Sequence, residues 1–344
     1  MTNNEKSGEQ QRSAQAMDPA TTYRHRVPAD RLVSSITPSS DVFVLAHFGV
    51  ARVDKRDWRL RISGMVDRLV TLGFDDLLRF AKVEIQSFIN CAGFPDNPAI
   101  ATRNVSNAVW AGADLAEVLD SVGVQPGAAF VWSHGPDHGA YRNWRADAYV
   151  KDFPVERLRA GRVLLAYEMN GEPLSPAHGY PLRLFIPGYY GTNSVKWLSH
   201  IELSDRRAPG LFTTVLYNDP VASGPNGATP GTVPVWDVPP EALIVSPAAN
   251  AMLSAGPIPV RGWSWGTREI AFVDISMDEG RTWHRVEVRP RTQNAWQPFE
   301  FTWNQHTPGK YSVMVRATDR DGNTQPEQAA RNAVHHIEFE VRQP

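Results

Sequence analysis

Residues 218–242 read NDPVASGPNGATPGTVPVWDVPPEA, and no other run restricts what the chain can fold into as strongly. Proline lacks the N–H that a helix interior or a central strand needs, and glycine weakens both. The stretch is therefore expected to be a linker between two folded halves. A chain of 344 residues calls for such a division, because a single hydrophobic core stops growing at a shorter length. The patterning also changes across it. Beyond the linker, IPVRGWSW, EIAFVDISMD, WHRVEVRP, FEFTWNQ, KYSVMVRATD and HHIEFEV alternate with period two. Turns such as Asp278-Glu279-Gly280 and Asp321-Gly322-Asn323 separate them. This is the pattern of a β-sandwich of about a hundred residues.

The half before the linker is mixed. WRLRISGMV alternates as a strand, and TLGFDDLLRFA has helical spacing opened by Thr71. EIQSFINCAG reads as a buried strand with Cys91 at its C-terminal end. AGADLAEVLDSVGV predicts a helix of about three turns stopped by Gly123. GRVLLAYEMNGEPL is a strand closed by an Asn170-Gly171 hairpin signal, and YPLRLFIPGYYG is another strand entering a glycine-rich loop. Strands and helices in this order predict an α+β half rather than a doubly wound one. No internal repeat is visible.

Bulk properties exclude some functions. A formal net charge of -2 leaves no electrostatic footprint for nucleic acid, and no apolar run is long enough for membrane insertion. Residues 1–20 are polar and are expected to be a disordered tail. They lack a signal-peptide core and a twin-arginine pair. As a native start they would leave the protein in the cytoplasm; a removed leader would place it in the periplasm.

Cys91 is the one cysteine, so no internal disulfide can form. From the residues alone it reads as a buried structural thiol, a thiolate metal ligand, or a nucleophile partnered by His47, His138 or His178. Without a second cysteine, zinc-ribbon and iron–sulfur sites are ruled out. A cofactor that brings its own sulfur ligands would fit.

The segment LLAYEMNGEPLSPAHGYPLRLFIPGYYGTNSVKWL (164–198), with CAG and WAGADLAEVL, closely resembles the molybdopterin domain of the sulfite oxidase family, which includes plant-type nitrate reductases. The resemblance runs from Phe43 to Tyr217. VRGWSWG and VDISMDEGRTW resemble that family's dimerisation domain. It implies a molybdopterin domain over 21–217 and an immunoglobulin-like β-sandwich over 243–344 that makes a homodimer. Cys91 would bind molybdenum, and Tyr217 would be the active-site tyrosine. His47, Asp137, His178, Arg183, Ser194 and Lys196 would hold the cofactor. Cations and close backbone amides suit its phosphate independently of the family. The implied reaction is oxygen-atom transfer to sulfite or another small sulfur compound. No haem motif is present, so electrons would pass to an external carrier such as a c-type cytochrome. The same centre could also run as a reductase of an oxygenated substrate, or serve in a cofactor-carrying protein without sulfite turnover.

The pattern breaks around the substrate. Sulfite oxidases write FTRNH where this chain has FVLAH, replacing an arginine with Leu45, and CAGNRR where it has CAGFPDNP, replacing another with Asp96. The segment carrying a third arginine is missing, and Arg331 lies nearby without aligning. His138, Arg142, Trp144 and Arg145 of DHGAYRNWR are the alternative pocket residues, equally readable as a solvated turn.

Overall fold

A computed structural model describes residues 15–16, 22–221, 231–305 and 307–343. The tail expectation for residues 1–20 lies outside them, except that Gln15–Ala16 pairs with Ala51–Arg52. Before the linker, two sheets carry the structure. One has the order Tyr149–Pro154, Phe130–Gly135, His200–Ser204, Leu60–Gly64, Val70–Leu72. Its one parallel pairing joins His200–Ser204 to Leu60–Gly64. The other runs Glu172–Pro173, Leu164–Met169, Val105–Asp114, Lys82–Asn90, with Arg183–Phe185 also paired to Leu164–Met169.

Helices are shorter than the periodicity suggests. Asp114 caps Leu115–Val122, its carboxylate accepting from Ala116 N at 3.0 Å, so AGAD belongs to the preceding strand. Gly123, at φ 79°, ends the helix as expected. The Thr71 helix is only Phe74–Leu77. It starts at Gly73, whose N–H bonds the Asp76 carboxylate at 2.8 Å, and Thr71 sits in a strand. The Asn170-Gly171 turn forms with both residues at positive φ, 54° and 80°.

After the linker, Glu241–Ser246, Gly256–Trp265 and Gln297–Gln305 form one sheet. Met252–Ser254, His335–Arg342, Gly309–Asp319, Ile270–Ser276 and His284–Glu287 form a second. Their inward residues, among them Val260, Val273, Phe299, Val315 and Phe339, make a separate core. The described ends of the linker form a strand pair, Asn218–Val221 with Gly231–Pro234, rather than an extended spacer. Among the described residues, no helix is long and apolar enough to cross a membrane.

The halves are packed together. Trp263, Trp265 and Trp296 belong to the first half's core, and each indole N–H reaches a first-half acceptor. Trp263 donates to Leu32 O (2.5 Å), Trp296 to Ser35 O (2.9 Å) and Trp265 to Asn90 Oδ1 (2.9 Å). Lys82–Asn90 is also tied to the second half through Phe88 N to Asn294 O and Asn294 N to Gln86 O.

Candidate molybdopterin site

The buried strand Lys82–Asn90 ends where its pairing with Val105–Asp114 runs out, and the next residue is Cys91. Its N–H bonds Asn104 O at 2.9 Å, and its sulfur accepts from Gly93 N at 3.3 Å. Gly93 has φ 77°, and a Cβ there would come within 2.8 Å of Thr102 Cγ2. The turn that presents the sulfur therefore requires glycine.

Cys91 faces a cavity at the end of its strand. His47, Asp137, His178, Arg183, Ser194, Lys196 and Tyr217 line it too. Seven positions spread over 170 residues of sequence thus meet Cys91 in one space. His47 follows the strand Val44–Ala46; Arg183 opens Arg183–Phe185; Ser194 and Lys196 follow the turn Gly191–Asn193. A Cβ at Gly191 would lie 3.0 Å from Ile89 Cγ1, so this turn sits close against the strand carrying Cys91.

Arg183 is 4% exposed and stacks over Trp110, 5.0 Å from the ring centroid. Its donors reach the carbonyls of His178 (3.1 Å), Ser194 (3.0 Å) and Leu184 (3.4 Å), with no carboxylate among its partners. Burial pulls its pKa down to about 9. Lys196 Nζ donates to Leu45 O (2.9 Å) and Ala177 O (3.2 Å), leaving a third N–H. Burial favours the neutral forms of both Lys196 and Asp137, so Lys196 is shifted down and Asp137 up, each shift opposed by the other's charge. Among the described residues, Asp137 is the only acid lining a cavity that also holds Arg183 and Lys196, which suits an anionic guest.

His47 and Tyr217 form the other wall, joined by a 2.9 Å bond between Nε2 and Oη. His47 stacks on Phe212 at 4.9 Å and is held neutral, its pKa lowered to about 3 by burial and then by Lys196, Arg24 and Arg142. Its Nδ1 is buried without a hydrogen-bond partner among the described residues. Tyr217 takes φ 59°, an unfavourable conformation for so large a residue. Bonds from its N to Pro95 O (2.7 Å) and from Val235 N to its carbonyl (3.0 Å) hold it there. Burial first, then the buried groups around it, push the Tyr217 phenol well above its usual pKa. Burial likewise raises the Cys91 thiol, against the pull of Gly93 N and of Arg26, Arg24 and Arg331.

Of the positions expected around the substrate, Leu45 alone lines this cavity. Asp96, His138, Arg142, Trp144 and Arg145 are exposed. The last three belong to the solvent-facing hairpin of Gly139–Tyr141 and Trp144–Ala146, as in the solvated-turn reading. Arg142 is ion-paired with Asp96, so the acid at 96 is already neutralised. Arg331 is buried under the Cys91 loop. It donates to Ala92 O (2.5 Å) and Phe94 O (2.6 Å) and pairs with Asp219 at 2.6 Å. Its charge therefore holds the loop. The sequence reading missed Tyr149, which completes the walls with Thr192 and Trp197. Among the described residues, the protein donors clustered for a metal ion are His134, His200 and Glu202, and Cys91 is not among them. Any further sulfur ligands at Cys91 must come with the cofactor.

Residues 47–212 match the oxidoreductase molybdopterin binding domain, and 232–338 the Mo-co oxidoreductase dimerisation domain. The chain is 30% identical to the sulfite oxidase of Gallus gallus, covering 88% of this chain and 71% of that protein. It is also 30% identical to the sulfite oxidase of Arabidopsis thaliana, covering 87% and 85%. It spans 58% to 63% of the mammalian sulfite oxidases it matches. The solved sulfane dehydrogenase SoxCD of Paracoccus pantotrophus superposes with a TM-score of 0.79 at 25% identity, covering 94% of this chain and 87% of that one. The Cys91 cavity therefore lies in a chain that belongs to the sulfite oxidase family of molybdenum-dependent oxidoreductases.

Proposed function

We propose that the protein binds Mo-molybdopterin in the Cys91 cavity and oxidises a small sulfur compound, passing electrons to an external carrier such as a c-type cytochrome. The observation that carries this reading is Arg183, a buried cation with no acid partner, in the same cavity as a lone cysteine. A buried charge is costly unless paired, and the cofactor phosphate is the partner it lacks. Lys196 Nζ and the Ser194 hydroxyl hydrogen remain for the same group. The orphan Nδ1 of His47 gives the guest a further polar contact. The cofactor supplies the two-electron oxygen-atom chemistry.

The residues of this chain would orient and isolate that chemistry. Cys91 gives the metal its one protein sulfur donor. Tyr217 and His47 keep a proton between them, on Oη or Nε2, at the edge of the reacting space. The apolar walls formed by Ile89, Val195 and Trp197 limit the water that reaches it. The C-terminal sandwich, which we take as immunoglobulin-like, would make the homodimer, as the SoxCD likeness and the dimerisation-domain match favour.

The test is metal analysis of purified protein together with sulfite turnover using an artificial acceptor. Stoichiometric molybdenum and turnover are expected. Cys91→Ser should lose both while the sandwich stays folded, because a hydroxyl is a poor replacement for a soft thiolate donor. Molybdenum-replete, fully active Cys91→Ser would remove the basis of the reading.

A further inference from the structure

We propose that Arg24 and Arg26 recognise the substrate's negative charge, in place of the arginines absent at positions 45 and 96. This rests on the reading that Cys91 carries the reactive centre. Tyr23–His25 pairs antiparallel with Val44–Ala46, setting Arg24 directly across from Leu45. Arg26 lies one residue past the end of that strand and lines the same recess as Arg24. Charge missing from one strand is thus returned by its neighbour.

Both arginines line a second recess that shares Leu45, His47 and Cys91 with the cofactor cavity. None of the described residues lining it is acidic. Neither arginine side chain makes a hydrogen bond or ion pair among the described residues, whereas Arg142 is spent on Asp96 and Arg331 on Asp219. Two guanidinium groups lining one recess repel, and an oxyanion bound there relieves that repulsion through charge-assisted bonds. Thr102, Asn104 and Tyr141 add polar groups to the same wall. The ligand class is a small sulfur oxyanion, held at the mouth with its sulfur toward Cys91.

Both arginines are exposed, so the site should respond strongly to ionic strength. The experiment is calorimetric titration of the purified holoprotein with sulfate at low salt, alongside sulfite kinetics. The variants are Arg24→Gln, Arg26→Gln and the double variant, with Arg24→Lys as the conservative change and Arg281→Gln on the sandwich as control. Each Gln variant should raise the sulfate Kd and the sulfite KM about tenfold, the loss of one charge-assisted bond. The salt dependence should flatten, and kcat should fall less than kcat/KM. Arg24→Lys should recover part of the loss, and molybdenum content should not change. Sulfate binding by the double variant equal to that of the unmodified protein would overturn the proposal, whether or not sulfite turns over. A protein without molybdenum would instead overturn the cofactor reading and leave the calorimetric result to judge the arginines. Wild-type protein that turns over sulfite without binding sulfate, and with KM unmoved by the substitutions, would likewise overturn it.

Discussion

The bond between His47 and Tyr217 is a problem of one proton. Burial keeps the imidazole neutral at ordinary pH, and the phenol holds its hydrogen. If Tyr217 donates to Nε2, then Nδ1 carries the ring hydrogen; if Nε2 donates, the phenol hydrogen is free for the cavity. Either way the pair offers one donor that needs no counter-charge. Tyr217→Phe removes that choice while keeping the ring that packs beside Phe212 at 6.3 Å. Molybdenum content and folding should be retained, while kcat falls by about 100–1,000-fold, the usual range for a lost positioned donor or proton shuttle. Steady-state kinetics on metal-matched samples checks this. An unchanged kcat would reduce Tyr217 to packing.

At the scale of elements, Asn170 does more than turn a hairpin. Its Oδ1 accepts from Val109 N at 3.0 Å and its Nδ2 donates to Thr37 O at 2.9 Å, stitching the hairpin to the neighbouring strand and to the N-terminal segment. Asn170→Ala leaves both partners unsatisfied at a positive-φ site and should cost about 2–4 kcal/mol by denaturant titration. A loss below 1 kcal/mol (about one ordinary bond) would contradict that accounting. The sandwich has a comparable tie, from Ile244 N to His335 Nδ1 at 3.1 Å, joining its two sheets. Burial lowers the His335 pKa from 6.5 to about 3, so in the folded state it stays neutral where the unfolded chain takes up a proton. Stability is therefore full above pH 6.5 and is lost as pH falls toward 3. Between pH 7 and 5 the loss from this group should reach roughly 2 kcal/mol at most. His335→Gln should flatten that slope; parallel curves for the two proteins would refute it. These elements also mark how far sequence could be read. Alternation located the strands, and the ordered run from Tyr167 to Trp197 located the cavity, because both signals are local. The helix at 115–122 is short because the preceding strand takes AGAD, and the one at 74–77 because Thr71 lies in a strand. Arg24 and Arg26 are invisible in the sequence, since the pairing of Tyr23–His25 with Val44–Ala46 is a long-range contact that brings this segment to the recess beside Cys91.

For the whole molecule, the linker suggests two independent bodies, yet the three tryptophan donors bind the second half into the first half's core. One of them reaches the site. Trp265 is fully buried and donates to Asn90 Oδ1, while Asn90 Nδ2 donates to the carbonyl of Cys91 at 3.0 Å. The sandwich thus holds the residue bonded to the Cys91 carbonyl. Trp265→Phe keeps most of the apolar volume but strands a buried amide oxygen, which should cost about 1–3 kcal/mol. Because Asn90 is then free to reorient, the damage should appear at the metal as well as in the melting curve. The expected result is a lower midpoint in a single unfolding transition shared by both halves, with weaker molybdenum retention on dialysis against a chelator. Trp263→Phe strands a carbonyl at Leu32, far along the chain from Cys91. It should lower the midpoint similarly and leave metal retention intact. If both variants lose metal equally, general loosening explains the effect; if neither loses any, Asn90 is held by its own strand and the sandwich serves the site only by stabilising it.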